Sequence, residues 1–349
     1  MKMPRPRGPL SAALFDLLHD SDVAVTVESC AALRETTAAA LAASPDLVQD
    51  DDVQVALFTA YELRYSGLTG VADDWEWHPA VLELCAAVER AFEKALRDRV
   101  PVPPLPAPGV DSVAAALFAL TDADTGPSVS RFIAKKATDE QAQEFLIQRS
   151  IYQLKEADPH SWAIPRLRGR AKAALVEIQA DEYGDGRLER MHSELFARTM
   201  RGLNLHDTHG GYVDVVPAVT LASSNMMTMF GTHRRLRGAI AGHLAAFEMT
   251  SALPNRQYGN GFRRLGYDAL ITHYFDEHVE ADAVHEQIAA RDLAGALSAD
   301  EPDLVADIFF GAAAGLYLDG LTGTQLLDAW AAGESSLRTE SPIRQGART

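Results

Sequence analysis

Three residues of one segment could bind a metal ion from a single helix face. His278, Asp282 and His285 stand at i, i+4 and i+7 of YDALITHYFDEHVEADAVHEQIAA. At about 100° per residue these positions form one narrow stripe. Two imidazoles and a carboxylate that converge on a stripe suit a divalent transition metal. A polar helix face that carries two histidines without any ligand is the alternative, and this triplet alone does not decide between them.

A second acid–histidine pair adds to this signal. Glu189 and His192 stand at i and i+3, so a helix would present both on one face. Helical dimetal carboxylate sites combine two such helices with one inward carboxylate from each of two others. Glu156 in IYQLKEADPHSW and Glu248 in GHLAAFEMTSAL are candidates for those carboxylates. Glu248 has apolar neighbours, and a buried carboxylate needs a partner, either a metal or an arginine.

Glu182 precedes His192 by ten residues, across a Gly-Asp-Gly interruption at residues 184–186. In one straight helix this separation would be about 15 Å along the axis. That is too far for one site whose two ions lie about 3.5–4 Å apart. Glycine adopts the dihedral angles that break a helix, so a break here could return Glu182 toward His192. The alternative is a surface glutamate that ends a helix.

The elements that must position these residues are helical. Apolar residues recur at three- and four-residue spacing along the chain, and strand-like alternation is hard to find. We therefore expect an all-α fold. A turn is predicted over 255–261, and five prolines within 100–109 indicate a linker between two regions. Helices are predicted over 29–43, 53–66, 80–99, 138–157, 168–183, 187–202, 217–231, 235–253, 268–290 and 302–331.

Composition narrows the classes of partner. The chain has 349 residues, 47% of them hydrophobic and 23% charged, which is typical of a globular protein. A net charge of −17 argues against nucleic acid and anionic membranes as partners. Cys30 and Cys85 are expected to be buried free thiols. The longest apolar run, Ile308–Leu318, is shorter than the ~20 residues that a membrane-spanning helix needs. We expect a cytoplasmic protein that acts on a small molecule.

Taken in chain order, these residues resemble the ligand set of the haem-oxygenase-like diiron oxidases. The resemblance covers residues 110–340 and implies a haem-oxygenase-like helical bundle that binds iron directly, without porphyrin. Residues 1–99 would then form an N-terminal helical extension that caps the site or builds a dimer. The matching residues are Glu156, Glu189 with His192, Glu248, and finally His278, Asp282 and His285.

The resemblance also implies a reaction. Two iron ions would activate dioxygen as co-substrate, with electrons from an external donor. In the family's N-oxygenating members an extra carboxylate stands ten residues before the histidine of Glu-x-x-His, as Glu182 stands before His192. All eight residues are therefore predicted to be iron ligands, in a homodimeric enzyme of natural product biosynthesis that converts an amine or amino-acid-like metabolite to a hydroxylamine or beyond.

Two other functions stay open at this point. The first is a diiron oxidase that acts on C–H or C–C bonds of an amino acid or fatty acid, by desaturation, ring closure, fragmentation or decarboxylation. The second is a helical metal-binding protein without catalytic activity. The sequence specifies neither the substrate nor the electron donor.

Overall fold

The computed structural model describes residues 1–19, 27–123, 125–126 and 128–338, with the side chains of 27–29 and 280–283 left undescribed. This part of the chain forms helices and turns with no strand, which confirms the all-α prediction. The α-helices are α1 (Pro9–Leu18), α2 (Val27–Ala43), α3 (Asp51–Glu62), α4 (Pro79–Arg99), α5 (Val110–Asp122), α6 (Val129–Lys135), α7 (Asp139–Gln153), α8 (Asp158–Ser161), α9 (Gly169–Glu182), α10 (His192–Gly202), α11 (Ala218–Thr232), α12 (Arg237–Met249), α13 (Ala252–Arg264), α14 (Ala269–Gln287), α15 (Ala296–Asp300) and α16 (Val305–Ala331).

A first compact unit contains Met1–Arg99 and Thr208–Met226. Its helices α1 and α3 are joined by Asp52, whose carboxylate accepts the backbone N–H groups of Leu10 and Ser11 at 2.8 and 2.7 Å. These donors have no partner within α1, so the carboxylate caps the start of that helix. Residues 208–226, which the resemblance placed in the second domain, belong to this first unit.

A second compact unit contains Val100–Asp207 and Met227–Ser336. Its helices α12 and α16 cross at very short range, because glycines replace side chains at the crossing. A Cβ on Gly242 would overlap the carbonyl of Ile308, and one on Gly311 would overlap the carbonyl of Ala239. This crossing fixes α12, the helix that carries Glu248.

Helix α16 is long and apolar enough to cross a membrane by length and composition, since the apolar stretch extends beyond the run at 308–318. In the structure 56% of its most apolar window is buried. Phe309 and Phe310 are among the fully buried side chains. The apolar composition of α16 therefore serves the core of the second unit.

The turn predicted over 255–261 is wrong, because these residues lie within α13. The glycines of this segment indicated a turn, but Gly261 has another role. A Cβ at Gly261 would stand 2.5 Å from the carbonyl oxygen of Ile133, so the glycine allows α13 and α6 to approach each other.

Both cysteines are free thiols, with Cys85 buried and Cys30 half-buried.

Candidate metal centre

Six of the eight predicted ligands meet in the second unit as two overlapping groups. Within each group, ligand atoms of the side chains lie within 4.8 Å of one another. Glu182 belongs to both groups, and every member is buried. The first group is Glu156, Glu182, His192 and His278; the second group is Glu182, Glu248 and His285.

Five separate segments supply these side chains. The two histidines of α14 are seven residues apart, about 10.5 Å along a helix, so they reach different groups. Glu156 lies in the turn that follows α7, Glu182 ends α9, His192 begins α10, Glu248 lies at the end of α12, and His278 and His285 lie on α14.

The chain reverses sharply between Glu182 and His192, as the sequence predicted. Gly184, Asp185 and Gly186 have φ values of 64°, 52° and 75°, in the left-handed region that favours glycine. A Cβ on Gly184 would stand 2.6 Å from the Arg190 carbonyl carbon, so the glycine also allows the chain to fold back on itself. As a result, Glu182 Oε2 lies 3.0 Å from His192 Nδ1.

The same reversal removes Glu189 from the helix face that it was predicted to share with His192. That part of the prediction is wrong, because Leu188–Arg190 forms a 3-10 turn and α10 begins only at His192. Glu189 is exposed and lies outside both groups. Asp282 lies outside the residues whose side chains the structure describes, so its assignment as a ligand stays a prediction.

Two ring nitrogens have the orientation expected of ligands. The Nδ1 atoms of His192 and His285 are buried and have no hydrogen-bond partner among the described residues. Each nevertheless faces a carboxylate, at 3.0 Å from Glu182 and 3.5 Å from Glu248. A cation between nitrogen and oxygen would satisfy both atoms. A mixed carboxylate and imidazole donor set suits iron, so these residues fit the metal that the resemblance implies.

His278 has its ring orientation fixed by the backbone. Its Nδ1 lies 2.8 Å from the carbonyl oxygen of Tyr274, which can only accept a hydrogen bond. The proton therefore resides on Nδ1 and Nε2 faces the first group, 3.6 Å from Glu156 Oε1. The hydroxyl of Tyr274 lies 3.0 Å from both oxygens of Glu156 and shares its one donated proton between them.

Without a metal, protons on the histidines balance the carboxylates. Burial opposes ionisation of Glu182, but His192, His278 and His285 together lower its pKa to about 2. Burial also opposes protonation of His285, yet Glu248, Glu182 and Asp181 raise its pKa to about 9. The pKa of Glu248 is raised, mainly by burial. Binding of cations would displace these protons, so metal affinity should depend on pH.

Comparison with known proteins gives the family of this chain. The family model described as "Iron-containing redox enzyme", of the haem-oxygenase-like type, matches residues 143–320, which is just over half of the chain. The chain belongs to this family. The match confirms the resemblance noted in the sequence and identifies the protein as an oxidoreductase.

One curated relative of this iron-containing redox enzyme is nitrosourea synthase from Streptomyces achromogenes subsp. streptozoticus. The two are 25% identical over 249 residues, which is 68% of this chain and 53% of the relative. The chain therefore spans about half of the length of that protein.

A small cavity of the redox enzyme adjoins both groups. His160 lines this cavity, and its Nε2 lies 3.1 Å from Nδ1 of the buried His243. Burial lowers the pKa of His160 to about 4 and also lowers that of His243, so both rings are neutral. The cavity is lined by Tyr152, Glu156, Ala157, His160, Gln179, Glu182, Leu244, Phe247, Glu248, Ser251 and His278.

Two polar neighbours of the ligands were not predicted from the sequence. Tyr274 stands one helical turn before His278, and that spacing could have indicated it. Asp181 Oδ2 lies 3.1 Å from His285 Nε2. Its position next to Glu182 was the only available signal, since α9 and α14 are remote in sequence.

Proposed function

We propose that this iron-containing oxidoreductase is a non-haem diiron N-oxygenase, which uses dioxygen to oxidise the nitrogen of a small amine or amino-acid-like metabolite. The observation that carries the proposal is the position of Glu182. Its carboxylate belongs to both groups and approaches His192 across the chain reversal. It is also the extra carboxylate by which this chain resembles the N-oxygenating members of the family.

Two metal ions are proposed because the donors divide into two groups. Glu156, His192 and His278 would hold one ion, Glu248 and His285 would hold the other, and Glu182 is available to both. Three buried carboxylates would offset three of the four positive charges of two ferrous ions. Asp282, whose side chain lies outside the described residues, is the predicted ligand that could supply the fourth negative charge.

Iron bound here would supply the capacity to reduce dioxygen. Conversion of an amine to a hydroxylamine takes one oxygen atom from dioxygen, and two electrons and two protons convert the other to water. The proposal therefore includes an external electron donor. Leu244 and Phe247 keep part of the cavity apolar, which favours the uncharged amine with its free lone pair. Tyr274 holds the Glu156 carboxylate in one orientation through a hydrogen bond that its hydroxyl shares between the two carboxylate oxygens.

The curated relative supports oxidation at nitrogen over oxidation at carbon. A nitrosourea synthase is named for a product with an oxidised nitrogen atom. The same relative supports a role in natural product biosynthesis.

Reconstitution and isotope labelling test the proposal. Metal-free protein should bind about two ferrous ions per chain, the stoichiometry of a dimetal site. The loaded protein is then given oxygen-18 gas, a reductant and a panel of primary amines and amino acids. Mass spectrometry should detect one labelled oxygen atom on nitrogen.

The alternatives predict different results in the same assay. Label on carbon, or loss of carbon dioxide, would favour the C–H or C–C oxidase. Two bound irons without substrate-dependent oxygen uptake over the whole panel would favour the non-catalytic metal-binding protein. Binding of a single iron would contradict the diiron centre itself. Asp185→Asn is the control, because Asp185 is an exposed member of the same chain reversal.

A further inference from the structure

Two consecutive carboxylates at the end of α9 contact histidines of two different helices. Glu182 Oε2 lies 3.0 Å from Nδ1 of His192, which begins α10. Asp181 Oδ2 lies 3.1 Å from Nε2 of His285, which belongs to α14. The last turn of α9 therefore reaches both groups, although only Glu182 is a member of them.

The ring of His285 lies between two carboxylates of different exposure. Its Nδ1 faces Glu248, whose side chain is 4% exposed, inside the second group. Its Nε2 faces Asp181, whose side chain is 35% exposed. The inner nitrogen thus faces the proposed metal position and the outer nitrogen faces a residue at the edge of the site.

An imidazole binds a metal through one nitrogen while the other carries the proton. The hydrogen-bond acceptor on the protonated side sets both the tautomer and the orientation of the ring. For His278 the backbone carbonyl of Tyr274 serves as that acceptor. For His285, the neighbouring group on the outer side is the Asp181 carboxylate.

We propose that Asp181 is a positioning residue of the second group: its carboxylate holds the proton of His285 on Nε2 and directs Nδ1 toward the metal. This inference rests on the proposed dimetal site and adds a residue that is not itself a ligand. Its effect should be confined to one metal position, because the first group is oriented by Tyr274 and not by Asp181.

Stepwise titration of metal-free protein with cobalt(II), followed by visible absorption, tests this role. The wild type should bind two ions. In Asp181→Ala one of the two binding steps should weaken about 10–100-fold, the usual effect of removing such an outer partner, while the other step is unchanged. Asp181→Asn should lose less, because its amide oxygen still accepts a hydrogen bond. Glu177→Gln, an exposed acid one turn earlier on α9, should behave as the wild type.

Three results of the titration would overturn the proposal. Unchanged binding in Asp181→Ala would show that the carboxylate has no role. Equal weakening of both steps would indicate general disturbance of the fold. Complete loss of the second ion in both variants, with an altered spectrum of the remaining cobalt, would make Asp181 a ligand.

Nitrogen NMR of the metal-free protein provides a readout that does not depend on the dimetal site. In alkaline buffer, where the ring is neutral, His285 should carry its proton on Nε2 in the wild type and lose this preference in Asp181→Ala. A His285→Gln sample assigns the signals. A proton on Nδ1 in the wild type contradicts the role of Asp181. Failure of the wild type to bind two cobalt ions contradicts only the diiron proposal.

Discussion

Glu182 Oε2 lies 3.0 Å from His192 Nδ1, although the two residues are ten positions apart and belong to different helices. The contact requires the reversal at Gly184–Gly186, and it creates a carboxylate that two groups of ligands share. The proposed binding of two metal ions therefore depends on the backbone conformation at Gly184–Gly186.

Replacement of Glu182 should affect both metal positions. In Glu182→Gln we expect iron content to fall from about two ions per chain to fewer than one, because the shared anionic ligand is lost. Metal analysis after anaerobic reconstitution measures this. Asp185→Asn, in the same reversal but exposed, should retain the wild-type content. Equal iron content in Glu182→Gln and the wild type would contradict the assignment of Glu182 as a metal ligand.

Replacement of the exposed Glu189 distinguishes the sequence prediction from the structure. The sequence assigned Glu189 as a ligand, whereas the structure leaves it exposed and outside both groups. From the structure we expect Glu189→Gln to retain more iron than Glu182→Gln under identical loading conditions. The opposite order would mean that the 3-10 turn at Leu188–Arg190 rearranges when metal binds.

The glycines of the reversal should differ in their sensitivity to substitution. Both Gly184 and Gly186 have positive φ, so alanine at either position costs about 1 kcal/mol or more in backbone strain. At Gly184 the new Cβ would also stand 2.6 Å from backbone atoms of Arg190 and Met191, whereas at Gly186 nothing lies within 4 Å. Urea unfolding should therefore show a larger loss of stability for Gly184→Ala, together with lower iron content. Similar losses for the two variants would contradict the close packing at Gly184.

The buried His160–His243 pair predicts a loss of stability in acid. The pKa of His160 in the folded protein is about 4, below the value of about 6.5 for an unfolded chain. The unfolded state therefore binds more protons, and the free energy of unfolding should fall as the pH decreases from 6.5 toward 4. One such histidine contributes up to about 1.4 kcal/mol per pH unit in this range.

Urea unfolding of metal-free protein at pH 7 and pH 5 measures this effect. His160→Gln should show a smaller decrease in stability between the two pH values than the wild type, by about 1–2 kcal/mol. His273→Gln, which replaces an exposed histidine, should show the wild-type decrease. An unchanged decrease in His160→Gln would mean that His160 is not the group that takes up the proton.

The hydroxyl of Tyr274 should stabilise the first group. Its shared hydrogen bond to the two oxygens of Glu156 is buried, and loss of a hydrogen bond to a buried carboxylate costs about 1–3 kcal/mol. We expect Tyr274→Phe to lower the stability of metal-free protein and to weaken chiefly the cobalt-binding step that Asp181→Ala leaves unchanged. Tyr317→Phe on α16 is the matched control. Weakening of only the step that Asp181→Ala also weakens would contradict the assignment of Tyr274 to the first group.

The sequence by itself determined the helical class, most helix positions and the chemical types of the ligands. Helical periodicity and glycine dihedral preferences are local properties, so the all-α fold and the break at Gly184–Gly186 could be predicted from residues close in sequence. The common stripe of His278 and His285 on α14 was also a consequence of local geometry.

Only the tertiary structure decided which side chains meet. Whether Glu182 or Glu189 faces His192 depends on where α10 begins, and the chain reversal, packed against Arg190 and Met191, sets that start at His192. The pairing of Asp181 with His285 joins α9 to α14, and no periodicity within either helix encodes it. The turn over 255–261 was wrongly predicted for the same reason, because Ile133, the residue that Gly261 packs against, is remote in the chain. Spacing along a helix fixes the direction in which a side chain points, whereas its partner depends on how separate helices pack.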